Sequence, residues 1–236
     1  MKVRFDQAAP YEVEEVDAPY AKPQGRELLA RIYRPRGEAD APLAVLVDVH
    51  GGAWSRNDRL SGAVHGRGLA ASGLVVVSLD FRQGSEAKHP AASADVAAGV
   101  RWVRAHARRL GVDPRRVGLV GSSSGGQLAL LAGLMPGAFA GTPIVAPDGT
   151  LDASTGDESV AFVLALYPVA DPLARFRYVV GRENDDSGFD AKRLIAAGML
   201  SSSSGCASHM GGSAWASWAV MMRVTLASAI CASLRK

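Results

Sequence analysis

Residues 117–134, VGLVGSSSGGQLALLAGL, carry the reading of the fold. The run from Val117 to Val120 is short and apolar, as in a strand covered on both faces. Gln127 to Leu134 reads as a helix ended by Pro136-Gly137. Between them lies Gly121-Ser122-Ser123-Ser124-Gly125, the pattern G-x-S-x-G in a strand–turn–helix context. A turn this sharp leaves no room for side chains two residues either side of its centre. It also lifts Ser123 to the carboxyl end of the strand. The amide of Ser124 then sits at the helix N-terminus, where positive potential collects. Gly126 allows the helix to pack on the sheet.

Working outward, residues 28–33 read as an early strand stopped by Pro35 and Gly37. Residues 43–49 (LAVLVDV) and 74–79 (LVVVSL) are apolar runs of the buried-parallel kind. A further run, 160–166, ends at Tyr167-Pro168. After Pro90, apolar residues recur at Ala92, Val96, Val100, Val103, Ala107 and Leu110. This predicts one helix closed by Gly111, with Arg101, Arg104, Arg108 and Arg109 on a solvated face. Strands alternating with helices predict an α/β fold: an open, mostly parallel sheet with helices on both faces. Residues 141–159, with scattered Pro, Gly and Asp, predict a long surface loop.

His50-Gly51-Gly52-Ala53-Trp54 directly follows the 43–49 run. A Gly pair at the carboxyl end of a central strand can aim backbone amides at a developing oxyanion, and each such donor is worth about 2.7–4 kcal/mol. His50 reads as a hydrogen-bonder that shapes the loop, and Trp54 as packing.

Together these motifs resemble the α/β-hydrolase fold, and within it the hormone-sensitive-lipase-like and short-esterase branch. The likeness extends through Asp80-Phe81-Arg82, His89-Pro90-Ala91-Ala92, Asp95, Arg101-Trp102-Val103, Leu110-Gly111-Val112-Asp113-Pro114 and Tyr167-Pro168-Val169-Ala170-Asp171-Pro172. The resemblance implies a carboxylic-ester hydrolase working through an acyl-enzyme. Ser123 would be its nucleophile, and the amides of Gly52, Ala53 and Ser124, with Gly51 permitting the turn, its oxyanion hole. It implies a small-molecule ester as substrate and neither metal nor organic cofactor.

The resemblance stops before the chain does. The family places its acid after a seventh strand and its histidine after an eighth, in the order Ser, acid, His. The last two strands are expected to be missing here. Asp171 is the candidate acid, against a turn-forming role before Pro172. His209 is the candidate base, since no other histidine follows the elbow. His65, His89 and His106 read as structural. Asp95 and Arg82 are a candidate pair near the site.

Composition changes near residue 198. The chain has 236 residues and 23 Asp plus Glu, yet none of those acids lies in 191–236. Both cysteines, Trp215 and Trp218 fall there, after Ser201-Ser202-Ser203-Ser204-Gly205. The expected organisation is an incomplete hydrolase core over 1–198 and an atypical Ser/Ala-rich tail over 199–236. Three readings of the tail compete: a linker with an amphipathic helix, a membrane anchor, or an out-of-frame end, which is favoured. Against an anchor, Arg223 lies within residues 214–234, and a central Arg costs about 2.5–3.5 kcal/mol on insertion.

The remaining composition narrows the class. Hydrophobic residues make up 48% of the chain, enough for a sizeable core. A net charge of +3 makes no case for nucleic acid. Two cysteines form neither a disulfide scaffold nor a four-cysteine zinc site. The charged N-terminus lacks a secretory pattern, so a cytoplasmic setting is expected. A truncated sheet would leave a bare apolar edge, so self-association is also expected. The alternative to an enzyme is a non-catalytic binding or interaction module on the same fold. A peptidase on this fold ranks last. A dinucleotide-binding dehydrogenase is disfavoured, since no G-x-G-x-x-G follows the first strand.

Overall fold

The computed structural model describes residues 2–180 apart from 9, 140 and 155. Its strands are β1 (Lys2–Val3), β2 (Val13–Ala21), β3 (Leu28–Pro35), β4 (Glu38–Ala39), β5 (Leu43–Val49), β6 (Val75–Leu79), β7 (Val112–Ser122), β8 (Ile144–Val145), β9 (Leu151–Asp152) and β10 (Phe162–Leu166). Its helices are α1 (Ala63–Ala71), α2 (Ala91–Ala105), α3 (Ala107–Leu110), α4 (Ser124–Leu134) and α5 (Pro172–Val180). Among the described residues, eight strands form one sheet in the order β10-β7-β5-β6-β3-β2-β8-β9. β10, β7, β5 and β6 run parallel, and β3, β2, β8 and β9 add an antiparallel wing. The compact unit that contains the described residues extends over 1–199, and the unit over 200–236 lies outside them. The expected absence of two final strands, the tail readings and His209 all fall outside the described residues.

The apolar runs of the central strands became strands because both sheet faces are covered there. Along β6, Val75, Val77 and Leu79 pack with Val96 and Val100 of α2 in the larger core, while Val76 turns the other way to Tyr33 and Ala70 of α1. That alternation is the two-residue period of a pleated strand. No described helix is long and apolar enough to cross a membrane.

Three expectations need correction. The helix predicted from Ala92 to Leu110 is broken at His106, whose ring stacks on Trp102 at 4.5 Å and whose Nδ1 lies 2.9 Å from the Trp102 carbonyl oxygen. Arg101 is not on a solvated face: its side chain is 3% exposed. It donates to Ser154 O at 2.7 Å and Thr142 O at 2.6 Å, beside the equally buried Glu158 carboxylate. Nor is 141–159 only a surface loop. It supplies β8 and β9 and turns Thr142 and Glu158 inward over α2. Helical periodicity tells which face of α2 meets the sheet, but not which polar residues a later segment covers. Arg82 and Asp95 do pair, at 2.7 Å, with the Thr142 hydroxyl donating to the fully buried Asp95 at 2.7 Å.

The β7–α4 junction depends on absent side chains. A Cβ at Gly125 would stand 2.1 Å from Val49 O and 2.3 Å from His50 O. One at Gly121 would stand 2.4 Å from Gly125 O. These neighbours are backbone atoms that cannot swing aside.

Three stability outcomes follow. Arg101→Met strands the Glu158 carboxylate in the interior and is expected to cost about 3–5 kcal/mol in urea unfolding, with Arg101→Met/Glu158→Leu recovering most of it. Gly125→Ala is expected to abolish the native circular dichroism signal. Gly68→Ala, exposed on α1 with open space at its Cβ, is expected to fold and gain up to about 1 kcal/mol.

Candidate active site

Strand order locates the site. β5 leads through α1 to β6 on one side, and β6 leads back through α2 to β7 on the other. In open α/β sheets, ligands bind outside the carboxyl ends of the strands where the chain diverges in this way. The segment after β5 and the turn after β7 flank that crevice.

Ser123 occupies the turn with φ 53° and ψ −120°, a conformation side chains seldom adopt. Such strain costs about 1–3 kcal/mol and persists only where surroundings enforce it. Here they do. Its N–H donates to Leu166 O of β10 at 3.0 Å. Its carbonyl accepts from Gln127 N and from Val169 N, both at 3.2 Å. The side chain is half-buried, so solvent reaches it.

The segment after β5 lies directly on this turn. A Cβ at Gly51 would stand 3.2 Å from Ser123 Cβ and 2.9 Å from Ser122 O. Gly52, Ala53 and Trp54 all have positive φ (136°, 54° and 56°). Trp54 bolts the segment to α4: its N–H donates to Ser124 Oγ at 3.4 Å and its indole Nε1 to Gln127 Oε1 at 3.0 Å. Its carbonyl accepts from Gly84 N at 2.7 Å. Among the described residues, the N–H groups of Gly52, Ala53 and Ser124 meet no protein acceptor. The structure therefore brings Ser123, Gly51, Gly52, Ala53 and Ser124 together, with Ser124 opening α4 at its positive end.

His50 is 5% exposed and stacks on Phe81 with ring centroids 4.3 Å apart. Its Nδ1 lies 2.7 Å from Gly51 O. A carbonyl only accepts, so Nδ1 carries the hydrogen. Burial pushes the imidazole below its ordinary value, which keeps the ring neutral. His50 thus shapes the loop, and Trp54 packs, as read from the sequence.

Asp171 is exposed and its Oδ1 accepts from Ala174 N at 2.8 Å, capping α5 ahead of Pro172. That is the turn-forming role. No described histidine is brought to hydrogen-bond distance of it or of Ser123. The sequence reading missed Asn57, whose φ is 78° and whose side-chain amide donates to Gly51 O at 3.0 Å. The visible signal was an Asn two residues after Ser55, in a polar turn. Among the described residues no three His, Cys, Asp or Glu converge as a metal site would need. Two surface hollows of about 350 and 390 Å³ are lined by residues such as Trp102 and Val145, or Leu43 and Gly111, and not by Ser123.

Comparison with known proteins bears on the family and the fold. Carboxylesterase NlhH of Mycobacterium tuberculosis is 35% identical over 124 residues, covering 50% of this chain and 37% of the relative. Esterase LipQ of the same organism is 32% identical over 164 residues, covering 68% of this chain and 37% of the relative. The chain therefore spans little more than a third of the length of these curated relatives. Among solved structures, a thermophilic esterase from the Planctomycetes species Thermogutta terrifontis superposes with TM-score 0.55 at 27% identity, over 71% of this chain and 56% of that one. A bacterial heroin esterase gives TM-score 0.60 at 24% identity, over 81% and 56%, which speaks to the fold alone. The family described as BD-FAE matches residues 31–210, more than half of the chain. The chain carries the α/β-hydrolase fold and belongs to the BD-FAE family.

Proposed function

We propose that this protein is a carboxylic-ester hydrolase acting on small-molecule esters of short or medium acyl groups. The observation that carries the reading is the strained, accessible Ser123 lying against a loop whose Gly52 and Ala53 amides are unengaged. Ser123 Oγ attacks the acyl carbonyl and loses its proton to a base. The carbonyl oxygen becomes an oxyanion received by the N–H groups of Gly52, Ala53 and Ser124. Collapse of the tetrahedral intermediate expels the alcohol, protonated by the base, and leaves an acyl-serine. Water then attacks that ester by the same route and releases the acid. His209 is the candidate base in this scheme, and it lies outside the described residues. Asp171 is the candidate acid in the same scheme, with its Oδ1 engaged in capping α5 and its second carboxylate oxygen left to orient the base.

The esterase names of the relatives support the reaction class. The non-catalytic alternative differs only in lacking a base, so turnover separates the two.

The test is 4-nitrophenyl butyrate hydrolysis. The wild type is expected to show a burst of 4-nitrophenol followed by steady turnover, and Ser123→Ala to abolish both. Acyl-ligand binding without any burst would favour the binding module, and unchanged turnover in Ser123→Ala would overturn the nucleophile assignment. Self-association belongs to the same proposal. β10 pairs only with β7 among the described residues, and Phe162, Leu164, Leu166 and Tyr167 are 41–76% exposed. Antiparallel pairing of two copies would set Phe162 opposite Leu166 of the second copy. Light scattering is expected to show dimers or larger species that Leu164→Lys reduces, whereas a monodisperse wild-type monomer would exclude this pairing.

A further inference from the structure

The peptide joining Gly51 to Gly52 is the least self-constrained link in the loop. Glycine on both sides removes the steric resistance that elsewhere stops a peptide plane from flipping. In a planar trans peptide the carbonyl and the following N–H point in opposite directions. Whatever holds Gly51 O therefore also sets where the Gly52 N–H points.

Two donors hold that oxygen. His50 Nδ1 reaches it at 2.7 Å from one residue back in the chain. Asn57 Nδ2 reaches it at 3.0 Å across the turn. The next carbonyl, Gly52 O, is held by the backbone N–H of Ser55 at 3.1 Å and its hydroxyl at 3.3 Å. Gly52 has no space for a side chain: its Cβ would fall 2.1 Å from Arg56 O and 3.0 Å from Asn57 Nδ2. The loop has thus closed so that 56 and 57 press on the Gly51–Gly52 peptide.

Asn57 itself stands at φ 78°, in the left-handed region. Asn tolerates that region better than other side chains, and Gly occupies it freely. An exposed turn needing only φ > 0 would accept Gly equally well. Asn adds an amide, and that amide meets a carbonyl whose peptide partner is an unengaged N–H beside Ser123.

We infer that Asn57 is a positioning residue for ester hydrolysis: with His50 it clamps the Gly51 carbonyl, and so holds the Gly52 N–H as an oxyanion donor. The inference rests on the oxyanion reading of this loop given above. Asn57 touches no reacting atom. Its effect is to keep one donor aimed before charge develops, which is when such donors lower a barrier.

Two variants separate the amide from the backbone angle. Asn57→Gly keeps φ > 0 and removes the clamp. Asn57→Asp keeps the shape and the tolerance of φ > 0, but its carboxylate cannot donate and repels the Gly51 oxygen. Loss of an oxyanion donor outright lowers kcat by about 10²–10³-fold, so loosening one is expected to lower it by about 10- to 100-fold. For both variants, 4-nitrophenyl butyrate kinetics should show that fall in kcat with KM within about twofold of wild type. Inhibition by phenylboronic acid, whose tetrahedral adduct on Ser123 presents an oxygen to the same donors, should weaken by a similar factor. Melting temperatures should stay near wild type. A merely structural role would lower melting and leave boronate affinity and the kcat-to-KM split alone. If the wild type turns over ester and binds the boronate, and both variants match it, this inference fails while the hydrolase reading stands. A wild type that neither turns over ester nor binds the boronate overturns both.

Discussion

The structure depends on one contact of backbone against backbone. Where β7 turns into α4, the first turn of the helix rests on the carbonyls that end β5, with Gly125 at the point of contact. Nothing larger than a hydrogen fits there. This approach has three results at once. It fixes α4 against the sheet, forces Ser123 into its strained angles, and brings the loop after β5 within touching distance of the turn. The strain at Ser123 is held by hydrogen bonds from both sides, to β10 before it and to Val169 after it. Fold and candidate chemistry are therefore not separable at this junction.

The polar interior follows a different logic. Arg82, Asp95 and Thr142 form one buried group, and Arg101 reaches the carbonyls of Thr142 and Ser154 beside Glu158. Both arginines draw the 141–159 segment onto α2 and so place the short β8–β9 addition at the far edge of the sheet. A buried guanidinium with several acceptors gives direction to a segment that has little apolar surface of its own. Apolar packing alone would not select one path for that segment.

Legibility in the sequence followed the range of the forces involved. Strands β5 and β6 could be read because cover on both faces leaves a nearly unbroken apolar run in the chain, and β10 because its run is apolar although one of its faces is exposed. The turn at 121–125 could be read because its steric demand is met by residues within five positions. Strand β2 escaped notice because it is an antiparallel strand of the wing whose charged residues, Glu15 and Asp17, are matched by Arg31, Arg59 and Arg67 from distant segments. Helix α1 escaped because its sequence, AVHGRGLAA, has two glycines and only a narrow apolar stripe. The burial of Arg101 and the reach of Asn57 to Gly51 are set by where later or neighbouring segments come to lie, and no local period encodes that. For the candidate site, the serine and the glycine pair were legible as short motifs. Of the side chains that hold those motifs in shape, His50 and Trp54 were legible beside the glycine pair and Asn57 was not.

The two faces of the sheet differ in how much they bury. On one, α2 and α4 close over a continuous core that runs from Tyr20 to Leu128. On the other, α1 covers a small cluster of Tyr33, Ala70 and Val76. Local opening free energies scale with such cover, so amide hydrogens under α1 would exchange with solvent well before those under α2. Between the Gly51 loop and α1 the chain is tied down at Arg59, whose backbone N–H and guanidinium reach Asp80 and whose guanidinium also reaches Asp17. Thermal motion of a thinly covered helix is thereby damped before it reaches the amides beside Ser123.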